Sequence, residues 1–321
     1  MNNILVYCSV AFLETLYAKI DSPISEWIEN DGIDNLKNLY ELIHSHSKIV
    51  LDKDIDFHNP NFKRLYKKDK FPKIDPESFD NIKNLNADFA VSIDARSILL
   101  TDFSDEIVSS IKEQFGMMAF TITGIENMGL LFTYGLESFV KGNEGNWSFI
   151  KKYEHPFNAL VLSDGYILSS IEARTNLKAL LRSILPSKLT IPFDLTIIFQ
   201  RNERGLPAAD LTPTFKDIID NLSEQFRYPI NLTLIESEEH DRNFITNYFW
   251  FSSGHGFELI RGEKSNRNTH VTVFPRNNKI VLKSGYFEIL RERFRNLNLK
   301  TNVKSGHYTK VLGNRKNRLL E

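Results

Sequence analysis

Chemistry concentrates in one stretch of the 321-residue chain, Glu239-His240-Asp241-Arg242-Asn243 through Phe257. His240 and Arg242 stand two apart at the entrance to an apolar run, so on an extended backbone their side chains leave the same face. A guanidinium beside an imidazole disfavours the imidazolium and keeps the histidine neutral. Neutral imidazole is the state that a nucleophile or general base requires. Arginine, in turn, clamps phosphate oxygens through paired N–H donors. The run closes on Ser252-Ser253-Gly254-His255-Gly256, where glycines permit a tight turn and close approach of backbone N–H groups to an anion. These residues point to a phosphate site. His240 is the candidate nucleophile or base and Arg242 the clamp, with Asn247 and His255 in the same run. Thr246, Ser253, Gly254 and Gly256 are candidate ligand-binding positions. Asp164 joins them, expected at the C-terminal mouth of the same sheet, where open α/β folds place ligands.

The elements that must carry these groups follow from hydrophobic periodicity. Helices are predicted over Val10–Trp27, Leu36–Ile43 and Asp105–Phe115, with strands at Lys48–Leu51, Phe89–Ile93, Ser97–Leu100 and Met118–Ile122. Asp52–Asn86, polar and interrupted by Pro60, Pro72 and Pro76, reads as an excursion with little regular structure. Glu126 and Glu137 are assigned to a helix. The polar run from Lys141 to Asn146 marks an expected boundary, dividing an N-terminal α/β domain, 1–145, from a C-terminal domain, 146–321. Beyond it the alternation is cleaner: strands at Asn158–Ser163, Asp194–Phe199 and Ile230–Ile235, helices at Thr175–Leu185 and Phe215–Phe226. One strand is expected over Phe244–Phe251, another over His270–Phe274, and a helix over Tyr286–Leu297. Strand–helix–strand alternation implies right-handed crossovers and a mostly parallel sheet. The fold class is α/β.

The 240–257 segment resembles the signature of the phospholipase D superfamily, His-x-Lys-x4-Asp followed after six residues by Gly-Ser-x-Asn. His240 falls on the nucleophilic His, Arg242 on the Lys, Asn247 on the Asp and Gly254 on the Gly, while His255 and Phe257 replace the Ser and Asn. Upstream, Leu162-Ser163-Asp164-Gly165-Tyr166 is similar to the first strand of degenerate phospholipase-D-like domains, including the one that follows some microtubule-interacting and trafficking modules. The resemblance covers about Phe149–Phe274 and implies a phospholipase-D-like domain acting on phosphodiesters through a phosphohistidine, without metal or cofactor. The family joins two copies of the motif across a two-fold axis, and this chain has one, so an active form would be a homodimer. Arginine keeps the charge of the lysine but not its point-charge geometry, and Asn247 cannot balance an imidazolium as a carboxylate does. Two readings therefore stand: a metal-independent nuclease or phosphodiesterase, with a bacterial antiviral-defence role by analogy, and a non-catalytic scaffold that partners a protein effector.

Composition limits the alternatives. With 41% hydrophobic and 25% charged residues the chain is neither disordered nor of low complexity. Its single cysteine, Cys8, makes no internal disulfide. No apolar run is long enough for a membrane helix, and the first residues lack the features of a signal peptide, so a cytoplasmic protein is expected. The net charge of −1 hides an asymmetry: residues 261–321 hold 15 lysines and arginines against 4 acidic residues, a basic segment expected to bind nucleic acid, DNA included. No P-loop motif is present. His44 and His46 near Asp52 and Asp54, and Asp94 with Asp102 and Glu14, are the weaker metal alternatives.

Overall fold

The computed structural model describes residues 4–21, 32–56, 58–60, 62–65, 72–133, 135–139, 147, 150, 153–200, 210–237, 241–254, 256–257, 269–299 and 311–321. The expected α/β class is observed, as two sheets flanked by helices. The first begins at β1 (Ile4–Cys8), whose apolar residues are nearly all buried. It is followed by α1 (Val10–Asp21), which buries Phe12, Leu13, Leu16 and Tyr17. The N-terminus of α1 is held by Asp52, whose Oδ1 accepts from the Val10 N–H at 2.8 Å, and by Ser9, whose hydroxyl accepts from the Phe12 N–H. Next come α2 (Gly32–Glu41), a π-helical turn at Leu42–His46 and β2 (Ser47–Leu51).

The Asp52–Asn86 stretch is more ordered than expected. It holds the short β3 (Lys73–Ile74) and α3 (Pro76–Lys83). Pro76 starts that helix rather than breaking a segment, since the first helical position needs no N–H, and Asp75 caps it by accepting from the Ser78 N–H. Phe89–Ile93 is likewise not a strand. Phe89–Ser92 lies in α4 (Ala87–Ser92), with Ile93 as its extended C-cap and the Asn86 side chain capping its start on the Phe89 N–H; the local cap overrides the strand reading. Then β4 (Ile98–Thr101), α5 (Asp105–Phe115) and β5 (Met118–Thr121) match the expected positions. The five strands are parallel, in the order β3-β2-β1-β4-β5.

The second sheet has eight strands among the described residues. Glu126 falls in a 3-10 segment, and Glu137 lies not in a helix but in β6 (Gly135–Phe139), which pairs with a strand more than a hundred residues later. Residues 141–146, the expected boundary, lie outside the described residues. The alternating unit follows as β7 (Ala159–Ser163), α6 (Ile171–Ile184), β8 (Phe193–Phe199), α7 (Leu211–Gln225) and β9 (Ile230–Glu236). These three strands are parallel neighbours, as the crossover rule requires. Parallel pairing stops there.

Phe244–Phe251 is not one strand but a hairpin, β10 (Asn243–Thr246) and β11 (Phe249–Ser253), turning at Asn247-Tyr248. Then come β12 (Thr269–Pro275), α8 (Lys279–Ser284), α9 (Tyr286–Leu299) and β13 (Val311–Gly313). The order is β13-β9-β8-β7-β10-β11-β12-β6, with every pairing outside β7-β8-β9 antiparallel.

One hydrophobic core runs through both sheets, from Ile4, Leu16 and Leu100 to Leu162, Phe193 and Phe251. Backbone contact at the junction is close. Gly116, at φ +60°, has no room for a side chain because a Cβ would sit 2.4 Å from the Phe157 carbonyl oxygen. A charged cluster spans the same junction. Arg96 binds Asp94 at 2.7 Å and Glu288 at 3.1 Å, and Glu288 also receives Arg276 and Arg291, each at 2.9 Å. Burial alone would raise the Glu288 carboxyl, but the three guanidiniums hold it below its usual range. This cluster also disposes of the Asp94 metal alternative. Asp94 is occupied by Arg96, and it precedes β4 whereas Asp102 follows it, so the two carboxylates lie at opposite ends of one strand.

Candidate functional site

Antiparallel pairing of β10 with β7 sets Asn243 opposite Ser163, which brings the start of β10 to the C-terminal end of β7. Arg242 and Asp164 therefore meet, although 77 residues separate them in the chain. Asp164 is buried, with Oδ1 accepting from the Tyr166 N–H at 3.0 Å and Oδ2 from the Phe257 N–H at 2.9 Å. Arg242 is half-buried. Its Nη1 donates to the Gly254 carbonyl at 2.9 Å, and its guanidinium lies 6.0 Å from the centre of the Tyr166 ring. Among the described residues its other N–H groups have no protein partner. Neighbouring Asp241 pairs with Arg293 instead, at 2.5 Å.

Gly256 and Phe257 are held by several hydrogen bonds. The Ser253 hydroxyl donates to the Gly256 carbonyl at 2.7 Å, and the Asn176 amide donates to the Phe257 carbonyl at 2.5 Å. Gly256 takes φ +91°, and a Cβ there would stand 2.8 Å from Asp164 Oδ2 and 3.5 Å from the Arg242 stem. Only glycine lets the backbone lie against the carboxylate. Arg242, Asp164, Ser253, Gly254 and Gly256 are thus one assembly, at the mouth where parallel strands end. His240 and His255 lie outside the described residues. Sequence reasoning missed Asn176 as a support of the turn, because a buried asparagine in a helix carries no local sign of its target. Tyr166 was visible only as a neighbour of Asp164.

Asn247 and Thr246 are elsewhere. They sit at the far end of β10, about 13 Å of strand from Arg242 at ~3.3 Å per residue. Asn247 Oδ1 accepts from the Asn158 and Ala159 N–H groups at 3.1 and 3.0 Å; Nδ2 donates to Asn158 Oδ1 at 3.0 Å and to the Ala95 carbonyl. Every hydrogen-bonding position of the amide is used in the fold, so it does not orient a group at the Arg242 end. The Thr246 hydroxyl accepts from the Tyr248 and Phe249 N–H groups, so its proton points at His155 Nε2, 2.7 Å away. His155 Nδ1 then carries the ring proton and donates to the Tyr153 carbonyl. Burial holds this imidazole neutral, with its pKa pushed down to about 4.

The other signals resolve as structure. His44 Nε2 meets the Tyr17 hydroxyl at 3.1 Å and the ring packs on Tyr40; His46 faces Glu41. Among the described residues no group of three or more His, Cys, Asp or Glu could hold a metal ion. Phe249 and Phe251 are core, as expected, and so is Tyr248, whereas Trp250 packs on the opposite face with Phe274 and Tyr286.

The basic 261–321 segment is not an open cationic track where it is described. Arg276 and Arg291 are buried on Glu288, Arg318 binds buried Asp194 at 2.8 Å, and Arg293, Arg295 and Lys279 pair with Asp241, Glu292 and Glu41. Residues 261–268 and 300–310 lie outside the described residues. No described helix is long and apolar enough to cross a membrane.

No family model matches the chain, and no curated protein does. Among solved structures it is similar over 50% of its length to an archaeal chromatin protein that shows a novel mode of DNA binding, at TM-score 0.27 and 14% identity, covering 52% of that chain. Over 53% it is similar to polyphosphate kinase from Porphyromonas gingivalis, at TM-score 0.31 and 10% identity, covering 24% of that chain. Over 60% it is similar to phosphatidylserine synthase from Haemophilus influenzae Rd KW20, at TM-score 0.31 and 12% identity, covering 46% of that chain. The chain thus spans about half the length of the first and less of the other two.

Proposed function

We propose that this chain binds the phosphodiester backbone of nucleic acid at the mouth of β7 and β10. The observation that carries the reading is the Arg242 guanidinium, fixed by one N–H on the Gly254 carbonyl while its remaining N–H groups have no described protein partner. A half-buried guanidinium in that state favours a bidentate anion. Ser253, Gly256 and Phe257 beside it are already held by hydrogen bonds, so they add little ordering cost when an anion binds. His240, two residues before Arg242, is the group that would attack phosphorus or take a proton, in a homodimer that brings two copies together.

Fluorescence anisotropy with labelled single-stranded and duplex oligonucleotides tests the binding. Wild type should bind, with affinity falling steeply as salt rises. Arg242→Gln should weaken binding about tenfold, the value of one charge-assisted pair. Wild type that binds neither probe, or Arg242→Gln that binds as well as wild type, overturns the reading. Cleavage in EDTA that is lost in His240→Ala marks a metal-independent phosphodiesterase. Binding without cleavage marks the second reading, a scaffold for a partner effector. That reading is favoured by the use of every hydrogen-bonding position of the Asn247 amide within the fold.

A further inference from the structure

A column of three aromatic rings stands on the face of the second sheet that carries α9. Trp250 of β11 stacks on Phe274 of β12 at 4.5 Å and 18°, and on Tyr286 of α9 at 4.5 Å and 32°. Alternation along β11 turns Trp250 away from Phe249 and Phe251, which are core. Its indole N–H donates to Asn243 Oδ1 at 2.8 Å, so the residue after Arg242 fixes the orientation of the column. Trp250 and Phe274 are half-buried. Tyr286, at the open end, is 39% exposed.

Tyr286 begins a stripe along α9. Ile289, 62% exposed, and Arg293 follow three and seven residues on, the spacing that keeps side chains on one helix face. Arg293 reaches Asp241, the residue before Arg242, so the stripe runs from the column to the start of β10. The path is short, because Trp250 lies opposite Ile245, three residues or about 10 Å of strand from Arg242. Arg242 and Trp250 leave opposite faces of the sheet, and the end of β10, where Asp241 meets Arg293, is where a ligand passes from one face to the other.

Charge along this path suits a polyanion. Lys283, just before the Gly285 turn that leads to Tyr286, is exposed, as is Arg293 at the other end. Asp241 and Glu288 beside it are already bound by arginines. The open ring selects among polyanions. An unpaired base can lay its π-face on tyrosine, whereas the bases of a duplex are stacked on one another and turn only their edges outward.

Resting on the Arg242 reading above, we propose that the nucleic acid is single-stranded, with a phosphate on Arg242, the backbone passing Arg293 and a base stacked on the open face of Tyr286. An acidic protein segment would use the same charges, but leucine at 286 would serve it as well as tyrosine.

Fluorescence anisotropy of the full chain tests this with three labelled probes: a short oligothymidine, its duplex with oligoadenosine, and an abasic strand of the same length that keeps the phosphates and lacks the bases. Wild type should bind the oligothymidine about tenfold more tightly than the abasic strand, the value of stacking one base. Tyr286→Leu should lose that tenfold and bind the abasic strand as wild type does, with near-UV circular dichroism to show that it folds. Tyr286→Phe should keep the full affinity. Equal affinity of wild type for the two single strands, equal affinity of wild type and Tyr286→Leu for the oligothymidine, or tighter binding of the duplex overturns the proposal. Arg242→Gln should weaken both single strands alike. If it binds both as wild type does, the Arg242 reading fails instead, whatever the result at Tyr286.

Discussion

The Asn247 amide donates to the carbonyl of Ala95, 152 residues earlier in the chain, and so ties the hairpin of the second sheet to the segment that enters β4 of the first. The same amide accepts from the N–H groups at the start of β7. Its neighbour Tyr248 adds a second tie, donating to the Ser97 carbonyl at 2.7 Å and accepting from the Met118 N–H at 2.9 Å. The hairpin turn is thus a joint between sheets.

Asn247→Ala would leave two buried N–H groups and a buried carbonyl without their partner. A loss of about 2–4 kcal/mol in unfolding free energy is expected. Asn247→Asp should cost as much, since an acceptor-only carboxylate would face the Ala95 and Asn158 oxygens. Urea denaturation measures both. A variant of unchanged stability and reduced oligonucleotide affinity would instead return Asn247 to the phosphate site.

Gly256→Ala should destabilise the 253–257 turn by about 1–3 kcal/mol, because φ +91° is strained for a side chain and the Cβ meets Asp164. Gly256 and Phe257 are buried, so near-UV circular dichroism is read alongside to show that the chain still folds. The readout is oligonucleotide affinity, expected to fall as in Arg242→Gln. Unaltered affinity would separate the turn from the Arg242 site.

Glu288→Gln removes the carboxylate shared by Arg96, Arg276 and Arg291 and leaves buried guanidiniums facing one another. Breaking a buried pair from one side costs about 3–5 kcal/mol, readable as a drop in the urea midpoint. Glu288 and Asp94 both have carboxyls held below their ordinary range in the folded state. Their contribution is therefore fully present above the ordinary carboxylate pKa and lost as pH falls through the depressed folded values. Acid unfolding should begin earlier in Arg96→Met, which removes one of those guanidiniums.

His155 acts at higher pH. Its pKa falls from 6.5 to about 4 on folding, so between those values the unfolded chain binds a proton that the folded chain does not. Stability should decline as pH drops from 6.5 to about 4 and level off below, by about 3 kcal/mol in total from this group. His155→Gln should flatten that slope even if it lowers stability throughout. An unchanged slope would show that His155 is not the group responsible.

Elements whose apolar residues repeat at a local period were legible: α5, α6 and α7, and the strands β7, β8 and β9, stand within a few residues of the sequence expectation. The misread segments share a cause. Phe89–Ile93 holds apolar residues that suit either period, and the Asn86 cap decided for helix. Phe244–Phe251 is continuously apolar, and the turn inside it is set by the long-range bonds of Asn247 and Tyr248, which no window of neighbours contains. Proline at 76 signalled a break when it marked a helix start.

What the sequence by itself determined is the chemistry and its local order. A guanidinium stands two residues after an imidazole, followed by a glycine turn, in a chain of alternating helices and strands. The tertiary structure decided which of these groups meet. Strand spacing assigns a side chain to a face, but only pairing between distant strands assigns it to an end. The antiparallel register of β10 on β7 brought Asp164 to Arg242 and sent Asn247 and Thr246 to the other end. That register follows from burying Phe244 on one core and Ile245 on the other, a requirement met only once both sheets are in place.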